Sequence, residues 1–253
     1  MLASRWVAAP LSALVWASYV VIVILWTPLV LGFRALTFPW DRDRRRVGRL
    51  FHSSAVAAGN LTPFWTFRIE GATSIDPRKP HVFVANHSSF TDVFLVARLP
   101  WEMKWLSKKS IFSIPLLGWQ LRVSGDVPIV RGDKESAREA MAQMRRILES
   151  GVSVILFPEG TRSVDGSLGP FRDGAFRLAI EAGVDVVPLA IAGAARSLPK
   201  RSLVFRPSTA TLKVLPPLST AGLSPSDARR LGSTVREQIE QAIRSAQAAT
   251  PAA

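Results

Sequence analysis

The sequence predicts an α/β fold: a central mixed, mostly parallel sheet flanked by helices, with an N-terminal membrane-associated helical segment. Three observations predict it. Short apolar runs rich in Val, Ile and Phe, such as Val82–Ala85 and Val152–Phe157, have the length and β-branching of buried strands. Stretches of helical periodicity lie between them, the clearest at Lys134–Ser150, and alternating strands and helices build sheets of this class. Finally, the chain carries no charged residue from Trp6 to Phe33, longer than the roughly 20 apolar residues needed to cross a bilayer.

In order along the chain, residues 1–60 are expected to form the membrane-inserted or interfacial segment and residues 61–253 the second domain. Leu, Val, Ile, Ala and Trp dominate Leu11–Leu31. A signal peptide has an apolar core of only about 7–15 residues and ends in a small-residue cleavage site. This run is longer and ends in Gly32-Phe33-Arg34. Pro28 is expected to kink or end the helix, so a bent or re-entrant segment stands beside a straight span. Trp6, Trp16, Tyr19, Trp26 and Trp40 are candidate interfacial anchors. Arg34, the run Asp41-Arg42-Asp43-Arg44-Arg45-Arg46, and Arg49 crowd the C-terminal side, while only Arg5 precedes the apolar run. The positive-inside bias therefore places everything after residue 34 on the cytoplasmic side. The same arginines would meet anionic head groups, at about 1 kcal/mol each. Val47–Ala58 is expected to form a second, interfacial helix.

Phe64–Gly71 reads as a first strand and Asp76–Pro80 as a turn. The strand beginning at His81 breaks into small polar residues after Ala85 and resumes as a helix to about Leu99, with Ser88, Ser89 and Thr91 as candidate caps. Trp101–Ser107 reads as a strand. Lys108-Lys109 leads into an apolar, proline-interrupted stretch ending at Trp119, and Gly125–Arg131 reads as a short strand closing on an arginine. Lys134–Ser150 places Ala137, Ala140, Met141, Met144 and Leu148 on one face, with Gly151 as its stop. Val152–Phe157 runs directly into Pro158-Glu159-Gly160-Thr161-Arg162-Ser163, and ligands of α/β sheets bind beyond the carboxyl ends of strands. A helix at Phe171–Ala182 ends at Gly183, a strand follows at Val184–Ile191, and a hairpin is expected across Ser202–Leu215. Ser226–Ala246 reads as the C-terminal helix.

The net charge of +13 asks for anionic partners. No nucleic-acid motif accompanies the basic residues, which sets that partner aside and leaves anionic lipid surfaces and anionic small substrates. The chain has no cysteine, hence neither disulfides nor a thiolate metal site, as suits a reducing compartment. His87 and Asp92 are five positions apart, about 140° apart on a regular helix, and would not touch inside one. With His87 on the strand-to-helix turn and Asp92 in the first helical turn, the carboxylate reaches one ring nitrogen and leaves the other to take a proton. That is the orienter–base arrangement of acyl transfer.

Asn86-His87-Ser88-Ser89-Phe90-Thr91-Asp92, followed about seventy residues later by Phe157–Ser163, resembles the glycerolipid acyltransferase family, and more narrowly its bacterial 1-acyl-sn-glycerol-3-phosphate acyltransferases. Four blocks have counterparts: His87–Asp92, Gly125–Arg131, Phe157–Ser163 continuing through Gly169–Ala175, and Val187–Ile191. The resemblance covers roughly residues 65–220. Val130 stands where the second block often has an aspartate, and Arg172-Asp173 where the third often has two basic residues. The resemblance implies acyl transfer from acyl carrier protein or coenzyme A to lysophosphatidic acid, giving phosphatidic acid, at a membrane and with no cofactor. His87 would be the base and Asp92 its orienter. Arg162 would hold the acceptor phosphate, aided by Arg131 and by Lys108 or Lys109, with Glu159, Gly160 and Thr161 completing that loop. A structural salt bridge from Arg162 to Glu159 is the plainer alternative. Rival readings are an enzyme for another lysolipid, such as lyso-ornithine lipid or a lysophospholipid, and a non-catalytic membrane lipid-binding protein.

Overall fold

The computed structural model describes residues 3–72, 75–163, 167–199 and 202–248; the side chains of residues 3–8, Arg5 and Trp6 among them, lie outside the described part. Its strands are β1 (Trp65–Glu70), β2 (Val82–Ala85), β3 (Met103–Lys108), β4 (Val127–Ile129), β5 (Ser153–Leu156), β6 (Val186–Ala192) and β7 (Ser208–Val214). Its helices are α1 (Ala3–Thr37), α2 (Arg45–Asn60), α3 (Asp92–Val96), α4 (Leu117–Ser124), α5 (Lys134–Glu149), α6 (Gly174–Ala182) and α7 (Ala228–Ala248). The strands form one sheet in the order β1-β7-β6-β2-β5-β3-β4. All neighbours are parallel except β6 and β7, so the sheet is mixed and mostly parallel, as the sequence predicts.

Strands β2, β5 and β6 are buried at every residue, which is why they read as unbroken apolar runs. Successive side chains alternate faces. Val82, Val84, Val154 and Leu156 pack on one layer with Met144 of α5, Phe176 of α6 and Val235 and Ile239 of α7. Phe83, Ala85, Ile155 and Leu189 pack on the opposite face with Leu95 of α3 and with Trp105. Asp133 caps α5 by accepting the Glu135 and Ser136 amides at 2.9 and 3.1 Å.

Two expectations need correction, and of the two outcomes expected at Pro28 one is excluded. Helix α3 stops at Val96 rather than near Leu99: the chain beyond it tightens into three-residue turns, with the Arg98 amide on the Leu95 carbonyl at 3.1 Å and the Leu99 amide on the Val96 carbonyl at 3.0 Å, and Pro100 bars any longer helix. No hairpin spans Ser202–Leu215: only β7 forms there, paired with β6 and β1. The segment before it is shaped instead by α1, since Phe205 is buried with its amide on Ser12 Oγ at 2.9 Å, and the Leu203 carbonyl accepts Trp16 Nε1 at 2.9 Å. Pro28 does not end α1, which continues to Thr37. The bond lost at a helical proline is offset by tertiary packing, with Val30 wholly buried beyond it.

Helix α1 is docked from Ser12 to Thr37. Val15, Tyr19, Ile22 and Val30 face inward. Tyr19 Oη meets Thr62 Oγ1 at 2.7 Å, and Gln120 Nε2 of α4 donates to the Val23 carbonyl at 3.0 Å and Thr27 Oγ1 at 2.7 Å. Val20, Val21, Ile24, Leu25 and Leu29 are exposed on the opposite face. Of the expected anchors, Trp40 is exposed. Trp16 and Tyr19 pack against Phe205, while Trp26 Nε1 donates to the Leu50 carbonyl at 3.1 Å. The arginine run is partly structural: buried Asp41 accepts the Arg46 and Val47 amides at 3.1 and 3.0 Å, serving as the side-chain cap that Arg44 cannot provide for α2.

Candidate active site

The carboxyl ends of β2, β5, β3 and β4 are contiguous in the sheet, and the chain leaving each of them lines one pocket of about 770 Å³. The segment after β2 begins with Asn86, whose side chain pairs with Ile191 as a peptide group would. Its Nδ2 donates to the Ile191 carbonyl at 2.9 Å, and its Oδ1 accepts the Ile191 amide at 2.7 Å. The strand is thereby pinned to β6 one residue beyond its regular ladder, and His87 emerges at a fixed height.

His87 Nδ1 lies 2.8 Å from Asp92 Oδ2. The same oxygen accepts the Ser88 and Ser89 amides, both at 2.8 Å, and Asp92 is fully buried at the start of α3. A carboxylate receiving two amides calls for the proton on Nδ1, which leaves Nε2 as the acceptor. The expected hydroxyl caps are not used in that way: Thr91 is the N-cap residue without a side-chain cap bond, and Asp92 takes the amides instead. The Ser88 and Ser89 amides are therefore occupied and are not free donors for an oxyanion. Thr91 and Ser89 bond to Ser197 at 2.6 and 3.2 Å, fastening the turn to the segment after β6.

Phe157 stacks on the His87 ring with centroids 4.3 Å apart, and the Ser163 amide donates to the His87 carbonyl at 2.9 Å. The turn between them closes by the Gly160 amide on the Phe157 carbonyl at 3.0 Å, with Gly160 at a φ of +71° that favours glycine. Glu159 takes a role the sequence did not foretell. Its Oε1 accepts the His87 amide at 2.7 Å and its Oε2 the Gly169 amide at 3.0 Å. Both oxygens are thus committed to the backbone, tying the His87 turn to the loop before α6.

The pocket brings together His87, Lys108, Arg131, Gly160 and Arg162 from the expected set. Thr161 is exposed, and Lys109 and Glu159 are not on the lining. Sequence reasoning left Arg172 without a role, yet it lines the pocket beside Gly160, its amide held by the Pro158 carbonyl at 3.0 Å. The signal was its place in the third block. Desolvation, followed by repulsion from Arg162 and Arg172, lowers the pKa of Arg131, so three guanidinium groups crowd one side of the pocket. Such a cluster accommodates an anion with fork-shaped donors. The rest of the lining is largely apolar and includes Trp16 of α1, Phe90, Ile129, Met141 and Leu203, with Lys108, Asp133 and Lys134 among the polar exceptions.

The family model described as Acyltransferase matches residues 66–192. A protein of Chlamydomonas reinhardtii named 1-acyl-sn-glycerol-3-phosphate acyltransferase is 37% identical over 79% of this chain and 60% of its own. A chloroplastic protein of that name from Arabidopsis thaliana is 37% identical over 72% of this chain and 49% of its own. The chain thus spans about half to three fifths of the length of these relatives. The crystal structure of the 1-acyl-sn-glycerophosphate acyltransferase PlsC from Thermotoga maritima superimposes with a TM-score of 0.84, covering 98% of this chain and 99% of that one at 24% identity, and so shares the fold. With the matched region running from β1 to the end of β6, and enclosing both His87–Asp92 and the Glu159–Arg162 turn, the chain belongs to the acyltransferase family.

Proposed function

We propose that the protein transfers a fatty acyl group from a thioester, on acyl carrier protein or coenzyme A, to the sn-2 hydroxyl of 1-acyl-sn-glycerol 3-phosphate, giving phosphatidic acid for phospholipid synthesis. The observation that carries this reading is the His87–Asp92 pair at 2.8 Å in one pocket with Arg131, Arg162 and Arg172. The arginines hold the phosphate, and the apolar walls take acyl chain. His87 Nε2 accepts the proton of the attacking hydroxyl while its oxygen adds to the thioester carbonyl. Asp92 stabilises the imidazolium so formed. Collapse of the tetrahedral adduct breaks the carbon–sulfur bond, and the imidazolium returns its proton to the departing thiolate. No covalent acyl-enzyme is needed.

The membrane reading follows from α1, the helix among the described residues long and apolar enough to cross a bilayer. Because its inner face is bonded to the folded domain from Ser12 to Thr27, α1 lies along the cytoplasmic surface of the inner membrane with its outer face in one leaflet. These bonds support an interfacial seat over a straight span. Carbonate-washed membranes should retain the protein, and a C-terminal reporter should register the cytosol.

The test of the chemistry is purified protein given each acyl donor with lysophosphatidic acid, lyso-ornithine lipid or lysophosphatidylcholine. Phosphatidic acid is the expected product, with the phosphate monoester strongly preferred. Equal turnover of the lysolipids without a phosphate monoester overturns the acceptor assignment, and no acyl transfer to any lysolipid overturns the reaction. Lipid profiling in a strain lacking its own enzyme extends the test to cells.

A further inference from the structure

We propose that Lys109–Trp119, between β3 and α4, is a second membrane-seated element, and that it rests on a bilayer surface carrying anionic lipid. The proposal builds on the interfacial reading of α1. Among the described residues, the exposed large apolar side chains fall on α1 and the turn after it, the end of α2, the segment from Ile111 to Trp119, and the pocket rim at Val130 and Leu203. Helices α5, α6 and α7, which cover the other face of the sheet, carry none.

The segment is built to present apolar groups. Its 3-10 turn, Lys109–Ser113, buries only Phe112, which joins Val30 of α1, Phe51 of α2 and Leu121 of α4 in one cluster. Ile114 and Trp119 are left 47% and 53% exposed. Between them Leu116 sits at φ 65° and ψ −57°, with the Leu117 amide on the Pro115 carbonyl at 2.7 Å. That is the strained form of the γ-turn, retained only where the surroundings over-determine it. Gly118 packs so closely that a Cβ would strike the Phe112 carbonyl. The exposure of Ile114 and Trp119 is therefore the outcome of a fixed, costly conformation.

The charge around the segment selects the partner. From Met103 to Gly125 the chain has four basic residues and no acidic one. Of these, Lys108, Lys109 and Arg122 are exposed. Apolar side chains flanked by cations suit an anionic lipid surface, with the apolar groups below the head groups and the cations among them. The shared Phe112 cluster and the Gln120–Thr27 bond make this segment continuous with α1. Since Ile111 also lines the pocket together with Trp16 of α1, the two seats bracket the mouth and open it at head-group depth.

The absence of cysteine makes the test direct. Full-length Ile114→Cys, Leu25→Cys on the outer face of α1, and Arg145→Cys on α5 each take one environment-sensitive fluorophore. They are mixed with phosphatidylcholine vesicles with and without phosphatidylglycerol. The Ile114 and Leu25 probes should shift to the blue and be quenched by lipid-borne spin labels, more with the anionic lipid, and the Arg145 probe should not respond. An Ile114 probe that stays in water while the Leu25 probe enters lipid overturns the proposal and leaves the α1 reading standing. Both probes remaining in water overturns the two together. An Ile114 response to acidic acyl carrier protein without vesicles assigns the face to a protein and also overturns it. The pair Ile114→Asp and Trp119→Asp should lower the ratio of rates on vesicle-borne and detergent-dispersed lysophosphatidate about tenfold; an unchanged ratio overturns the proposal.

Discussion

At the scale of residues, one carboxylate oxygen has three duties: Asp92 Oδ2 orients His87 and accepts two amides, the half-buried one of Ser88 and the buried one of Ser89. His87→Ala should lower kcat about 100-fold or more, the usual worth of a general base being roughly 10²–10⁴, with little change in melting temperature. Asp92→Ala should cost activity and also stability, since each stranded buried amide costs about 1–3 kcal/mol. Asp92→Asn, which keeps the shape and an acceptor, separates the two in paired kinetic and thermal measurements. Arg162→Lys should raise KM for lysophosphatidate several-fold and leave the donor KM nearly unchanged, because lysine lacks the bidentate fork. Arg131→Lys should act in the same direction but more weakly, from its exposed seat at the rim. Equal impairment with a phosphate-free lysolipid would instead give Arg162 to the loop. The His87–Asp92 contact was legible because a strand, a turn and a helix start are local patterns. Neither the Asn86–Ile191 exchange nor the Glu159 brace was, because their partners lie 105 and 72 positions away in the chain.

At the scale of elements, α2 is fastened by a buried ionic cluster that sequence periodicity cannot reveal. His52 lies 3.5 Å from Glu102 and 3.4 Å from Asp126, while Lys104 pairs with Glu102 at 2.7 Å. Desolvation lowers the His52 pKa, but the charges and hydrogen bonds of Asp126 and Glu102 outweigh it and raise the value to about 9. A group raised in this way contributes stability fully below its ordinary value of 6.5, and that contribution is lost as pH climbs through about 9. Thermal unfolding across that window should show the native chain losing melting temperature faster than His52→Gln. At neutral pH the variant should be the less stable by about 3 kcal/mol, the order expected when one partner leaves a buried ionic pair. The presence of α1 and α2 was legible from composition. Their docking was not, because it depends on Thr62, Gln120 and Phe205 far along the chain.

For the whole molecule, β2, β5 and β6 announced themselves because strands covered on both faces must be apolar throughout. The edge of the sheet was harder: β7 lies between β1 and β6, a placement no local pattern specifies, and the residues ahead of it are claimed by α1. The sheet gathers four strand ends at one pocket, while α1 and the Lys109–Trp119 segment flank that pocket on the side free of α5, α6 and α7.

On the proposed function, the docking of α1 from Ser12 to Thr37 has a consequence for the lipid made. If the protein is moored in one leaflet and carries the proposed activity, it takes its acceptor from that leaflet and returns the doubly acylated product to it, so synthesis enlarges one monolayer and leaves the other behind. Reconstituted on the outside of sealed vesicles, it should produce phosphatidic acid that stays fully accessible to an added phosphatase for as long as spontaneous transbilayer exchange remains slow. The strain would appear as outward budding, and relieving it would fall to whatever carries lipid between the two monolayers.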